Sequence, residues 1–171
     1  MKQIMLLRHA KSSWENEGLE DFDRPLASRG LKDAPMMGKF IRKIKHKPDQ
    51  IISSTAQRAK ETTMHALSGM KKEEEIISWN EDLYYGGKTD YLRAIQSGNE
   101  RSEIIMLVGH NPNIEDTAGA LIGSSVSANL RMPTAALVCF NTFATEWKEV
   151  NWGACQLAWM MIPKVLKHIY E

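Results

Sequence analysis

Four side chains that are cationic, or become so on protonation, follow short apolar runs along the chain. Arg8 and His9 come directly after IMLL, Arg58 comes shortly after QIIS, and His110 follows IIMLVG. Two guanidinium groups keep their charge at any physiological pH and fork onto phosphate oxygens through paired hydrogen bonds. Two imidazoles can donate, accept or attack near neutral pH. Singly, each has an ordinary reading: an arginine whose stem is buried at a strand end, a hydrogen-bonded histidine, a solvated charge on the first turn of a helix, a turn at Gly109-His110. It is the shared position at the ends of three apolar runs that points to a phosphate pocket.

Such a pocket needs elements that bring those ends together. Apolar runs at 3–7, 50–53, 76–78, 103–108, 135–140 and 156–160 have strand length and character. Between them lie helical patterns over 28–44, 56–67 and 113–121, with a shorter one at 89–96. In the first of these, apolar residues fall at Leu31, Ala34, Met37, Phe40, Ile41 and Ile44, and the basic KIKHK sits at its C-terminal end before Pro48-Asp49 stops it. Strand and helix in alternation imply a three-layer α/β/α sandwich with a mostly parallel central sheet. The last two strands, joined by NTFATEWKEVNWG, should form an antiparallel pair at one edge. In an open α/β sheet, ligands bind outside the carboxyl ends of the strands, where helix N-termini near Ala56 and Asn113 would add N–H donors.

Composition limits the partners. At 171 residues, without internal repeat or linker, the chain is expected to be one domain spanning 1–171. The net charge of +1, with both signs scattered, gives no broad field for nucleic acid or an anionic membrane, so anion binding must be local. No run is long enough for a membrane span or a secretory leader, and the expected setting is cytoplasmic. Cys139 and Cys155 lie in apolar segments without metal-binding spacing and read as buried thiols. The KKEEE cluster at 71–75 reads as a solvated helix end and loop. No cofactor or metal is expected, and a monomer is.

The motifs resemble those of the histidine phosphatase superfamily, of phosphoglycerate mutase-like fold. LLRHA at 6–10, the S-x-x-x-R-A-x-x-T pattern of Ser54, Arg58, Ala59 and Thr62, and GHNP at 109–112 carry the likeness. DFDRPLASRG, LYYGG and MPTAA follow in the family's order, and the short SixA-type phosphohistidine phosphatases are the most similar branch. Ala10 stands where many members have glycine, and Lys11-Ser12 where mutase-like members have a glutamate and serine.

The resemblance implies that His9 attacks phosphorus and forms a phosphohistidine that water hydrolyses, with its other ring nitrogen held by a hydrogen bond. Arg8, Arg58 and His110 would bind the phosphoryl oxygens, with Ser12 or Thr134 as further hydroxyl donors or as plain turn and capping residues. The substrate depends on the leaving group. An alkoxide needs an acid, whereas an imidazole can take its proton from solvent. Asp82, with Glu81 beside it, stands near the position where mutase-like members carry an acidic glutamate, and Asn111 stands where the acid phosphatase branch has an aspartate. Short stretches between motifs imply an open pocket suited to a phosphohistidine on a partner protein, with Trp14 and Lys11 as a candidate rim. Two other readings stay open: a small-molecule phosphomonoesterase using Asp82 or Glu81, and a non-catalytic module that binds phosphate or a phosphoprotein. A nucleotide-binding fold is disfavoured because no Gly-rich turn follows the first strand.

Overall fold

A strand covered on both faces is apolar without alternation, and β1 (Gln3–Arg8) has this character: Ile4, Met5, Leu6 and Leu7 are wholly buried. The computed structural model describes residues 1–123 and 130–170. In it β1 pairs in parallel with β4 (Ile104–Gly109), β4 with β2 (Gln50–Ser53), and β2 with β3 (Ile77–Trp79). On its other side β1 meets β5 (Leu137–Thr142), which is antiparallel to it and to β6 (Cys155–Met161). Among the described residues the strands form one sheet in the order β3-β2-β4-β1-β5-β6. The pair β5–β6 closes one edge as expected, and β5 alone runs against the rest.

Successive strand residues point to opposite faces, so each strand serves two cores. Ile4, Leu6 and Leu107 pack with α4 (Lys88–Gln96) and α5 (Asn113–Leu121), while Met5, Leu7 and Met106 pack with α1 (Ser28–Lys43) and α2 (Gln57–Met70). Three layers result, the α/β/α architecture expected from the alternation. Each large buried side chain here contributes on the order of 2 kcal/mol.

α1 buries Ala34, Met37 and Ile41 of the stripe its apolar spacing suggests, together with positions that carry no apolar signal. Gly30, Ala34, Met37, Gly38 and Ile41 face inward, whereas Leu31 and Ile44 are exposed. Close approach to α2 decides this: a Cβ on Gly38 would lie 2.0 Å from the Ala66 carbonyl oxygen, and one on Gly69 would lie 2.2 Å from that of Pro35. The two helices touch backbone to backbone, which only glycine permits.

Two short helices lie outside the helical patterns read from the sequence. α3 (Asp82–Tyr85) is a single turn, and α6 (Pro163–Tyr170) begins on a proline, which suits a first helical position. α6 is held by Leu166, buried in the α1–α2 core, and by an ion pair from Lys167 to Asp33 at 2.8 Å. β5 starts later than the apolar run because Ala135 adopts a left-handed conformation (φ 60°) and Ala136 N–H closes a turn onto Pro133. No described helix is long and apolar enough to cross a membrane.

The register places the site. Arg8 lies opposite Gly109, and Ser53 opposite Val108, so β1, β4 and β2 end level. The chain therefore leaves the sheet at His9, Ser54 and His110 side by side.

Candidate active site

His9 is pinned first through its backbone. Its N–H donates to the Gly109 carbonyl at 2.9 Å and its own carbonyl accepts from Ala135 N–H at 3.1 Å, so the left-handed turn at Ala135 serves the residue after β1. The imidazole Nδ1 lies 2.7 Å from the Ala10 carbonyl oxygen. A carbonyl can only accept, so Nδ1 carries the proton and Nε2 keeps its lone pair. The expected anchor for the second nitrogen is thus the next residue's own carbonyl. Ala10 is held in turn: its N–H donates to Thr62 Oγ1 at 2.9 Å, and that hydroxyl donates to the Arg58 carbonyl at 2.6 Å. Burial, opposed by the Ala10 hydrogen bond and reinforced by the charges of Arg58, Arg8 and Arg24, pushes the His9 pKa down to about 3. The ring is neutral at pH 7.

His110 stands beside it, with ring centroids 5.0 Å apart. Its N–H donates to the Tyr91 hydroxyl at 2.9 Å, and that hydroxyl donates to the Leu83 carbonyl, also at 2.9 Å. Gly109 leaves the space: a Cβ there would sit 1.9 Å from the same tyrosine oxygen. Nε2 of His110 is 2.8 Å from Ser54 Oγ, which assigns the serine of the S-x-x-x-R pattern a partner, while Nδ1 is buried with no partner among the described residues. Burial, then the charges of His9 and Arg58, push this pKa down to about 3 as well.

Around the two rings lie three guanidinium groups. Arg8 donates from Nη1 to the Met132 carbonyl at 2.7 Å and leaves Nε buried without a partner among the described residues. Burial lowers its pKa, and Glu115, which accepts from Met132 N–H, opposes the shift. Arg58 lies on the inner face of α2 with Ala59, Thr62 and Thr63, which is why it is buried rather than solvated. Both of its hydrogen bonds go to Asp21, from Nη1 to the backbone oxygen and from Nη2 to Oδ2 at 2.9 Å. Arg24, also buried, donates to Ser13 O, Ser12 Oγ and Asp21 Oδ1, and its guanidinium lies 3.2 Å above the ring of Trp14.

The predicted residues separate into two groups. His9, Arg8, Arg58 and His110 converge. Ser12 is buried but accepts from Arg24, and Thr134 accepts from Arg29 at 3.2 Å. Asp82 and Glu81 are exposed, and Glu81 lines a separate hollow with Gln50, Thr55, Asn80 and Ser97. Neither hydrogen-bonds to the four converging residues. Three neighbours had no role in the sequence reading: Asp21, Arg24 and Tyr84. The DFDRPLASRG and LYYGG stretches contained them, but only the fold brings the first beneath the second. Tyr84 donates to Asp21 Oδ2 at 2.9 Å and sets its ring edge-on to His110, centroids 5.3 Å apart. Burial works to raise the Asp21 pKa, but hydrogen bonds from Tyr84, Arg24 and Arg58 outweigh it and bring it down to about 2.

Similarities to known proteins bear on the family and the fold. Residues 4–86 match the model of the histidine phosphatase superfamily (branch 1). An uncharacterized chloroplastic protein of Arabidopsis thaliana is 34% identical over 156 residues, 86% of this chain and 70% of that protein. Among solved structures, the "putative phosphohistidine phosphatase SixA" of Agrobacterium tumefaciens is 30% identical, covering 95% of this chain and 98% of its own, with a TM-score of 0.79. A protein histidine phosphatase SixA complexed with tungstate shares the fold at 17% identity, with a TM-score of 0.81 over 96% of this chain and 99% of that one. The chain belongs to the histidine phosphatase superfamily, SixA type, and its class is that of a phosphatase.

Proposed function

We propose that the chain removes phosphoryl groups from phosphohistidine on partner proteins, through a covalent phosphohistidine on His9. One observation carries the reading: His9 is neutral, with Nδ1 committed to the Ala10 carbonyl and Nε2 free, among three guanidinium groups. In the first step the Nε2 lone pair attacks phosphorus and the bond to the leaving nitrogen breaks, its electron pair remaining on the departing imidazole. That imidazole takes its proton from water. In the second step water attacks the phosphorus on His9, the P–N bond returns its electrons to Nε2, and inorganic phosphate leaves. Phosphoryl transfer depends on positioning and on neutralising the equatorial oxygens. Arg8 and Arg58 would supply that charge, and His110 a donor: with Ser54 Oγ–H donating to Nε2, Nδ1 carries a proton and can bind a phosphoryl oxygen.

The choice of phosphohistidine rests on proton supply. Among the described residues, the carboxylate bonded to the pocket's arginines is Asp21, and a group with a pKa of about 2 is ionised and cannot act as an acid at neutral pH. A leaving group that needs no protein acid fits such a site better than an alkoxide. A phosphorylated protein is the proposed partner, since Trp14 and Tyr85 stand exposed beside the pocket.

The test is phosphate labelling of wild type and His9→Ala with a protein phosphohistidine and an alkyl phosphate in parallel. Acid-labile, base-stable label on wild type only, formed faster from the phosphohistidine, is expected. Equal turnover by His9→Ala would sink the mechanism, and faster labelling from the alkyl phosphate would sink the substrate assignment.

A further inference from the structure

The two hydrogen bonds of Arg58 both end on one residue. Nη1 donates to the Asp21 backbone oxygen and Nη2 to its Oδ2, so Asp21 occupies the end-on edge of the guanidinium. A planar guanidinium has a second two-donor edge, formed by Nε and the remaining Nη2 hydrogen. Among the described residues, the hydrogen bonds of Arg58 lie on the end-on edge. Asp21 Oδ1 meanwhile takes Nη1 of Arg24 at 2.8 Å, and Tyr84 adds its hydroxyl to Oδ2 at 2.9 Å. One carboxylate therefore fixes two arginines and the tyrosine that packs on His110.

The geometry points to Asp21 as a positioning residue: it engages the end-on edge of Arg58 so that the side-on edge, Nε with Nη2, is the one presented to the phosphoryl group, and it holds Arg24 alongside. This deepens the phosphatase reading and rests on it. Asp21 acts on the phosphoryl group through Arg58, and makes no bond to phosphorus. Its separation from α2 in sequence explains why motif spacing does not reveal the role. Asp21 lies in a 3-10 turn, Asp21–Asp23, whose side chains remain partly exposed, so replacing the carboxylate leaves both hydrophobic cores intact.

Asp21→Asn keeps the shape and removes the charge. An amide presents one acceptor oxygen and a nitrogen that can only donate, so the arginines and the tyrosine cannot all be satisfied at once. Misplacing a charge clamp by a fraction of an ångström lowers turnover on the order of tenfold to a hundredfold. The experiment measures kcat and KM with a phosphohistidine peptide, together with competitive inhibition by tungstate, for wild type, Asp21→Asn, Arg58→Lys and the double variant. The expected result is a kcat loss of about tenfold or more and weaker tungstate inhibition in Asp21→Asn, with the double variant within about twofold of Arg58→Lys alone, because a residue that works through Arg58 has nothing left to position. Two outcomes overturn the proposal: Asp21→Asn retaining wild-type kcat and tungstate affinity, or losses that multiply in the double variant. Melting temperatures identify an unfolded variant, and Asp21→Ser then repeats the cycle with a smaller side chain. A wild-type chain inhibited by neither tungstate nor phosphate would instead overturn the phosphate-pocket reading.

Discussion

Thr62 Oγ1 accepts the N–H of Ala10 at 2.9 Å while donating to the Arg58 carbonyl at 2.6 Å, so one hydroxyl links the segment that orients His9 to the helix that carries Arg58. The Ala10 carbonyl sets the His9 ring, and Thr62 sets Ala10. Nucleophile and clamp are therefore not independently placed.

Thr62→Val tests that link, because it keeps the volume and removes only the hydroxyl. The buried Ala10 N–H would then have no acceptor, which costs about 1–3 kcal/mol of stability. If Thr62 also fixes the ring, kcat falls roughly tenfold or more at unchanged protein concentration and below the melting transition. Denaturant melts together with steady-state kinetics check both, and a stability loss with full kcat would show the link to be structural alone.

Arg58→Ala should reduce transition-state stabilisation more than ground-state binding. Donors aimed at developing charge in a water-poor site are worth about 3 kcal/mol each, or roughly a hundredfold in kcat. Burial on α2 means that the change also leaves Asp21 without one of its partners. Comparison of kcat with KM separates the effects: a rise in KM alone would assign Arg58 to binding and remove it from the clamp.

Acid should destabilise the protein well above the carboxylate range. His9 and His110 both have folded-state pKa values near 3 against an ordinary 6.5, chiefly from burial. The unfolded chain then binds more protons, so stability is full above about pH 6.5 and is lost as pH falls toward 3. Between pH 6.5 and 5 the loss is roughly 2 kcal/mol per histidine. Melts across that range should show the slope in wild type and about half of it in His110→Asn; identical slopes would place the protons elsewhere.

The sequence made the sheet legible because its strands are buried on both faces and read as plain apolar runs, and Arg8, His9 and His110 were legible because they sit at the ends of such runs, with Arg58 on the first turn of the helix after one. The mouth of the pocket was not. Asp21 and Tyr84 are far apart in the chain, and nothing in the local pattern of either says that a carboxylate from one turn will meet a hydroxyl from another. Asp82 and Glu81 looked promising by proximity to Tyr-Gly, yet on α3 it is Tyr84 that bonds into the site. Part of the buried stripe of α1 was obscured for a different reason: glycine has no hydrophobicity signal, but at Gly30 and Gly38 it decides which face can approach another backbone.

Gly30 gives that last point a functional edge. A Cβ at Gly30 would lie 2.3 Å from the Lys11 carbonyl oxygen and 3.1 Å from its nitrogen, and neither backbone atom can move without shifting the chain after His9. The same Lys11 carbonyl accepts Ala27 N–H at 2.8 Å just before α1 begins, so α1 and the His9 segment are seated on each other. Gly30→Ala should therefore cost about 1–3 kcal/mol by overpacking, while the intrinsic preference of alanine for helix offsets somewhat under 1 kcal/mol of it. Activity should fall further than that stability loss explains, since the displaced segment carries the Ala10 carbonyl that orients the imidazole. Leu31→Ala, one position along and exposed, is the control expected to leave kcat unchanged. Equal kcat in Gly30→Ala and Leu31→Ala would mean that the His9 segment tolerates the shift, and the tight seat of α1 would then matter to folding alone.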